Sequence, residues 1–408
     1  MSAAATGPAL PDSRRFGVDA VIIADALDGQ EIGVLNGLGL GHRWALVSDP
    51  DTHAALGSAI ARRLSAIATI EHIALTTRPV ADEQTLAMIE RAATSCDALI
   101  AVGSGTINDL CKLAAARLAR PYVVFATAPS MNGFVSANAA LRMGGHKCTV
   151  AATTPRAAFF DLGVLANAPA RMIRSGLGDS VCRTTAQADW LLSHYLVGTN
   201  YSSEPFDMLA AFEADLFDRA EGLVHRDLAA MQTLVSTLVV SGFGMSLVGT
   251  SEPASQGEHL ISHTFEILHK SADALHGEQV GVATLTMSQL QHRWIEHPDP
   301  PQVRSTPSPD EVLSFFGPDA GTRIARDYAA KQHALSAASA GGRWATLWGT
   351  AVSHIVPTLV PTSRIRATLA KAQCPMLPAD LHWDDELYAS VVRFARTIRN
   401  RVTFLDLA

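Results

Sequence analysis

The chain has 408 residues, 48% of them hydrophobic and 17% charged, which describes a compact globular protein long enough for two domains with separate cores. A formal net charge of −7 excludes partners gripped through a basic face, nucleic acid first, and no polybasic membrane patch is present. Five scattered cysteines, Cys96, Cys111, Cys148, Cys182 and Cys374, form no CxxC pair and exclude a disulfide framework. A reducing compartment, the cytoplasm, is expected.

The first segment, "MSAAATGPALPDSRR", has no apolar h-region, so residues 1–15 are expected to be a disordered leader. Residues 16–164 then alternate between two periods. "RWALVSD" reads as a strand, and "DTHAALGSAIARRLSAI" as a helix capped by Thr52. "IEHIALTT", "ALIAVGSG" and "YVVFATA" read as further strands, separated by the helices "DEQTLAMIERAATSC" and "TINDLCKLAAARLA". This rhythm builds a parallel sheet with helices on its faces, an α/β dinucleotide-binding type of domain. "CTVAATTPRAAFFDL" is expected to form a short extended pair. Residues 165–408 carry long helical periodicities and are expected to be a second, all-α domain, with a Pro-rich loop at 296–311. "AAMQTLVSTLVVSGFGMSLVG" (229–249) lacks charges for about a membrane's width, but its Ser, Thr and Gln content favours a buried core helix over a membrane span.

Several stretches could carry chemistry. In "VGSGTINDLCK", Gly103 and Gly105 flank Ser104 at a strand-to-helix turn, where bare backbone N–H groups and a helix N-terminus suit a pyrophosphate. The spacing is not GxGxxG, and ordinary turn chemistry explains it equally well. "FATAPSMNGFVS" places Thr127, Ser130 and Ser136 at the carboxyl edge of a parallel sheet, where such sheets hold ligands. A polar loop is the plainer reading. Asp49 ends a strand where an acid could bind ribose hydroxyls and favour NAD over NADP. In "RSGLGDSVCR", Asp179 stands where a helix should begin, as an N-cap would.

The window "GEHLISHTFEILHKSADALHGEQVG" holds His259, His263, His269 and His276. His259 and His263 are four apart and share a helix face, and His276 returns after a loop. Two imidazoles and a carboxylate are a recipe for a catalytic zinc. A chance pair on a helix is the commoner outcome, and His269 falls to it.

Taken together, "GSGTINDLCK", "TAPSMNGFVS", "SGLGDSV" with "ADW", "SEPASQGEHLISH" and "LHGEQVG" resemble the sn-glycerol-1-phosphate dehydrogenases, within the superfamily of glycerol dehydrogenases, iron-containing alcohol dehydrogenases and dehydroquinate synthases. The resemblance runs from about residue 45 to residue 285. It implies a dehydroquinate synthase-like fold, an N-terminal domain binding NAD(H) or NADP(H), and one divalent metal, zinc first with nickel or iron as alternatives. By motif position, Asp179, His259 and His276 would hold the metal. Gly103, Ser104, Gly105, Thr106, Ile107, Asn108, Asp109, Thr127, Ser130 and Ser136 would lie along the dinucleotide. His263 would sit beside the substrate with Asp179 and Asn132.

The implied reaction is reversible reduction of dihydroxyacetone phosphate to glycerol 1-phosphate, by a homo-oligomer acting on a small phosphorylated molecule. Asn132 departs from the family, which carries Asp there, so an acceptor oxygen is kept and a negative charge lost. Cys182 and Arg183 stand in a stretch where relatives more often carry a Lys. A polyol dehydrogenase without phosphate preference and a sugar-phosphate cyclase of the same fold are the competing readings.

Overall fold

A computed structural model describes residues 7–143, 146–269, 273–297, 299–340 and 342–407. The chain divides into two compact units, Met1–Ser180 with Asp207–Thr250, and Val181–Phe206 with Ser251–Ala408.

The first unit is built on eight strands: β1 (Ala20–Ala24), β2 (Arg43–Ser48), β3 (Thr69–Ala74), β4 (Ala98–Gly103), β5 (Tyr122–Ala126), β6 (Asn138–Met143), β7 (His146–Ala151) and β8 (Ala157–Asp161). Six make one sheet in the order β1-β8-β5-β4-β2-β3, with every neighbouring pair parallel. β4, β5 and β8 are buried along their whole length, which explains their unbroken apolar runs in place of alternation. Phe125 and Phe159, opposite one another on β5 and β8, stack at 4.5 Å. Because β2 lies between β3 and β4, the chain reverses its direction of travel across the sheet there, and the carboxyl ends of β2 and β4 bracket the switch point.

Three expectations change here. "CTVAATTPRAAFFDL" does not pair with itself: its first residues lie in β7, antiparallel to β6, and β8 enters the main sheet between β1 and β5. The helix after β2 is capped by Asp49, whose Oδ1 accepts from Thr52 N at 2.8 Å while Thr52 Oγ1 accepts from Asp49 N, so Thr52 is the far side of a capping box. The expected leader has structure from Asp12, which caps a turn of 3-10 helix at Ser13–Phe16, and Phe16 is buried against Phe243 at 4.5 Å.

Phe243 belongs to the helix Leu228–Val248, apolar on every side and mostly buried. A helix without a polar face needs cover all round, and this one finds it inside the first unit. Its Gly242 lies so close to the loop after β5 that a Cβ there would meet Asn132 O at 2.8 Å and Val135 Cγ2 at 2.6 Å. Residues 165–180 and 207–250 therefore pack with the sheet, so the division of the chain differs from a single break at residue 164.

The second unit is helical, with Arg183–Val197, Gly257–Leu268, His276–Ile295, Arg343–Ile355, Thr362–Lys371 and Asp385–Ala395 among its helices. Pro309–Ala340 is kinked at Gly317, whose φ of 75° suits glycine. Leu192, Ile261, Phe265, Ala283, Trp348 and Phe394 share one core, in which Phe265 stacks on Trp383 at 3.9 Å.

Candidate active site

The first unit places two loops at the carboxyl edge of its sheet. β4 ends at Gly103, Ser104 is the N-cap, and the helix Gly105–Leu118 begins at once. A Cβ on Gly103 would lie 2.6 Å from Ile107 Cδ1, and one on Gly105 would lie 2.9 Å from Met131 Sδ. Packing therefore calls for glycine at 103, where a Cβ would also meet Ile107 Cβ at 2.7 Å, while at 105 the neighbour is the flexible end of a methionine. Ser104, Gly105 and Thr106 are half-buried and present the helix N-terminus, an arrangement that can bind phosphate through backbone N–H groups. Ile107, Asn108 and Asp109 are buried: Asn108 Nδ2 donates to Asp109 Oδ1 at 3.2 Å, and Asp109 Oδ2 accepts from Ala140 N at 3.0 Å.

The loop after β5 is fixed from beneath. Thr127 N donates to Gly103 O at 3.1 Å, joining the two loops. The Ser130 carbonyl accepts from Ser175 Oγ at 3.2 Å. Ser136 is buried, and its hydroxyl turns inward to Gly133 O (3.2 Å) and Asn138 O (3.3 Å). One residue that sequence reasoning missed is Lys112, fully buried, whose Nζ donates to Gly133 O at 2.6 Å and Asn138 O at 2.9 Å. Burial holds its pKa below the ordinary value, with the Asp109 carboxylate opposing. A lone Lys inside the apolar run "LCKLAAA" was the available signal.

Asp179 is not an N-cap, as its place after Gly-Leu-Gly suggests; it lies in the last turn of the helix Ala170–Val181. The glycines serve packing instead. A Cβ on Gly176 would fall 1.7 Å from Pro129 O, so only glycine lets this helix rest on the loop. That approach brings Asp179 Oδ2 to within 2.8 Å of Asn132 N, which donates to it. Asn132 is itself buried, and the contact uses its backbone.

In the second unit His259 and His263 project from the helix Gly257–Leu268, and His276 opens the helix His276–Ile295. Their rings converge: centroids lie 5.7 Å apart for His259 and His263, 5.2 Å for His259 and His276, and 5.4 Å for His263 and His276. His269 stands apart, stacked on Phe265 at 4.6 Å. Two carboxylates that the sequence reading did not single out join the cluster. Glu258 Oε1 lies 2.9 Å from His259 Nδ1, and Glu266 Oε1 lies 3.3 Å from His276 Nδ1. Ligand atoms of His263, Glu266 and His276 all lie within 4.8 Å of one another. The spacing of three between His263 and Glu266 was legible as one helix face.

The support beneath this cluster is polar and buried. Asp189 accepts from Gly257 N at 2.9 Å, Phe404 N at 3.0 Å and Gln291 Nε2 at 3.2 Å. A Cβ on Gly257 would come within 2.8 Å of Asp189 Oδ2, so glycine leaves room for this contact. Burial, reinforced by the charge of Glu258, pushes the Asp189 carboxyl up to about 8. Burial works in the same sense on Glu258, but the His259 hydrogen bond and charge outweigh it and hold this carboxyl below its ordinary value. Arg401, also buried, supplies positive charge toward Glu252, Glu258 and Asp189. Imidazoles with a carboxylate are the donor chemistry of first-row divalent ions, and converging rings from two helices fit such an ion.

A parallel sheet followed by a helical unit is the fold shared with solved iron-containing alcohol dehydrogenases, and residues 22–169 match that family's sequence model. The solved structure of sulfoacetaldehyde reductase from Bifidobacterium kashiwanohense in complex with NAD+ shares the fold, with a TM-score of 0.61 at 16% identity over 98% of this chain and 96% of that one. Glycerol-1-phosphate dehydrogenase of Pyrococcus furiosus is 40% identical over 47% of this chain and 55% of its own length. That of Thermococcus kodakarensis is 31% identical over 66% of this chain and 77% of its own length. The chain belongs to the glycerol-1-phosphate dehydrogenase family. Its matches to the first curated relatives span between 50% and 64% of their length.

Proposed function

We propose that the chain is a metal-dependent, NAD(P)-linked dehydrogenase that interconverts dihydroxyacetone phosphate and sn-glycerol 1-phosphate. The observation that carries this reading is the convergence of His259, His263 and His276 in a chain whose sheet ends in a phosphate-type helix N-terminus. His259 and His276 hold the metal, with Asp179 as the carboxylate ligand; zinc suits this donor set, and iron or nickel bind the same groups. When bound, the ion supplies Lewis acidity at the substrate oxygen and the nicotinamide supplies or accepts the hydride.

The rest is the work of side chains and backbone. Ser104, Gly105 and Thr106 bind the pyrophosphate through backbone N–H groups, and Gly103 leaves room for it. Thr127, Ser130 and Asn132 line the loop that places substrate against the nicotinamide. The structural roles of Asp49, Ile107, Asn108, Asp109 and Ser136 are to hold that surface in shape. His263, four residues from His259 on one helix face, orients the substrate hydroxyl and passes its proton toward water. Asn132 offers an amide, and the substrate is held there without a second negative charge. The working form we assign is a cytoplasmic homo-oligomer.

The test is NADH and NADPH oxidation by the purified full chain with dihydroxyacetone phosphate and with dihydroxyacetone, metal content being measured alongside. Oxidation with the phosphate ester at a much higher kcat/KM is the expected result. Equal rates with both ketones would remove the phosphate preference, and oxidation of neither would remove the dehydrogenase reading.

A further inference from the structure

Glu258 stands beside the histidine cluster and has no part in the activity proposed above. It is 0% exposed and lies in the first turn of the helix Gly257–Leu268. Burying a carboxylate costs several kcal/mol unless its oxygens are met by donors. Here they are met from three directions. Gln256 N donates to Oε1 at 2.7 Å, Thr185 Oγ1 donates to Oε2 at 2.9 Å, and His259 Nδ1 lies 2.9 Å from Oε1. The first two contacts come from the chain just before the helix and from the neighbouring helix Arg183–Val197, so the carboxylate is clamped in one orientation. The buried Arg401 guanidinium interacts electrostatically with the same carboxylate.

An ionised carboxylate can only accept. The ring atom that faces it must therefore carry the hydrogen, which makes His259 the Nδ1–H tautomer and puts the lone pair of the neutral imidazole on Nε2. We propose that Glu258 is a positioning residue: its clamped carboxylate selects the Nδ1–H tautomer of His259 and fixes the ring so that Nε2 is the metal ligand. The proposal rests on the metal reading given above. It adds a residue whose contribution is made through His259, as carboxylates behind metal-bound histidines commonly do. The clamp fits the motif Gly-Glu-His: Gly257 leaves room for the Asp189 carboxyl group that its N–H meets, Glu258 turns back into the protein, and His259 follows it on the same helix.

The experiment has two arms on the full chain. In the first, the metal-free wild-type protein, labelled with 15N-histidine, is examined by long-range proton-nitrogen NMR. His259, assigned by its loss in His259→Gln, is expected as the Nδ1–H tautomer, and an Nε2–H signature overturns the proposal whatever the variants do. In the second, Zn2+ alone is titrated against a chromophoric chelator for wild type, Glu258→Gln and Glu258→Ala. Glu258→Ala should bind zinc about 10- to 100-fold more weakly and lose the tautomer preference. Glu258→Gln keeps an acceptor oxygen, and should keep the tautomer and recover most of the affinity. Unchanged zinc affinity and tautomer in Glu258→Ala overturn the proposal while leaving the metal reading intact. A wild-type chain that binds no zinc, iron or nickel overturns the metal reading itself.

Discussion

The carboxylate of Asp179 accepts a hydrogen bond from the backbone N–H of Asn132 at 2.8 Å, across 47 residues of chain. This bond ties the "GLGD" stretch to the loop that follows β5, and it does so without using the Asn132 side chain. The buried Asn132 side chain takes no part in the bond.

The approach that makes the bond possible depends on Gly176. Gly176→Ala would put a methyl 1.7 Å from Pro129 O, and neither backbone can move without disturbing the helix or the loop. We expect a loss of about 3 kcal/mol, the upper end of typical overpacking costs, read as a lowered urea midpoint. A midpoint within error of wild type would show that the helix rests on the loop less closely than described.

Removing one histidine separates the two halves of the chemistry. His276→Ala is expected to lose more than about a hundredfold in metal affinity and to abolish turnover, while dinucleotide binding, followed by quenching of tryptophan fluorescence, stays within a few-fold of wild type. Near-normal turnover with undiminished metal content would take His276 out of the site.

Lys112 is a buried lysine whose Nζ donates to backbone carbonyls of the loop after β5 and of β6. Lys112→Met keeps the volume and leaves Gly133 O and Asn138 O without that donor. The expected cost is about 1–3 kcal/mol in equilibrium unfolding, together with a rise in KM for the ketone, since the loop is no longer held. A variant as stable as wild type would mean that the lysine holds nothing in place.

Asp189 gives the fold a pH dependence of known sign. Its pKa rises on folding, from an ordinary 3.8 to about 8. A carboxyl shifted upward contributes its stabilisation fully below the unfolded value and loses it as pH rises through the folded one. Between about pH 4 and pH 8 this group makes the native state progressively less stable. Asp189→Asn should flatten that slope in unfolding free energies measured across the range, even if the variant is less stable throughout. An unchanged slope would place the titration elsewhere.

Much of this was legible in the sequence, and the failures have physical causes. β4 and β5 announced themselves because strands buried on both faces read as unbroken apolar runs. β1 is also an unbroken apolar run, Ala20–Ala24, and the sequence reading passed over it; it is half-buried in the structure, and β8 was read with its chain neighbours because pairing partners distant in sequence leave no local mark. The histidines were found by helical spacing, since four residues make one face. Asp179 was misplaced because Gly-Leu-Gly suggests a break before a helix, whereas the glycines here serve a close approach inside one. Glu258 and Lys112 were missed for a shared reason. Each is a charged residue whose meaning lies in what it touches at a distance, Thr185 for one and Gly133 for the other.

The helix Leu228–Val248 completes the first unit although more than twenty residues of the second are spelled out before it, between Val181 and Phe206. During synthesis the sheet therefore emerges without the apolar helix that packs beside Phe16 and against the loop at Asn132, and waits for it. The second unit waits longer still, because its opening helix Arg183–Val197 meets its core partners only after Ser251. Neither unit is one continuous length of chain, so no single cut releases the first free of the second's residues, and a nascent chain stopped short of Thr250 should be a chaperone client.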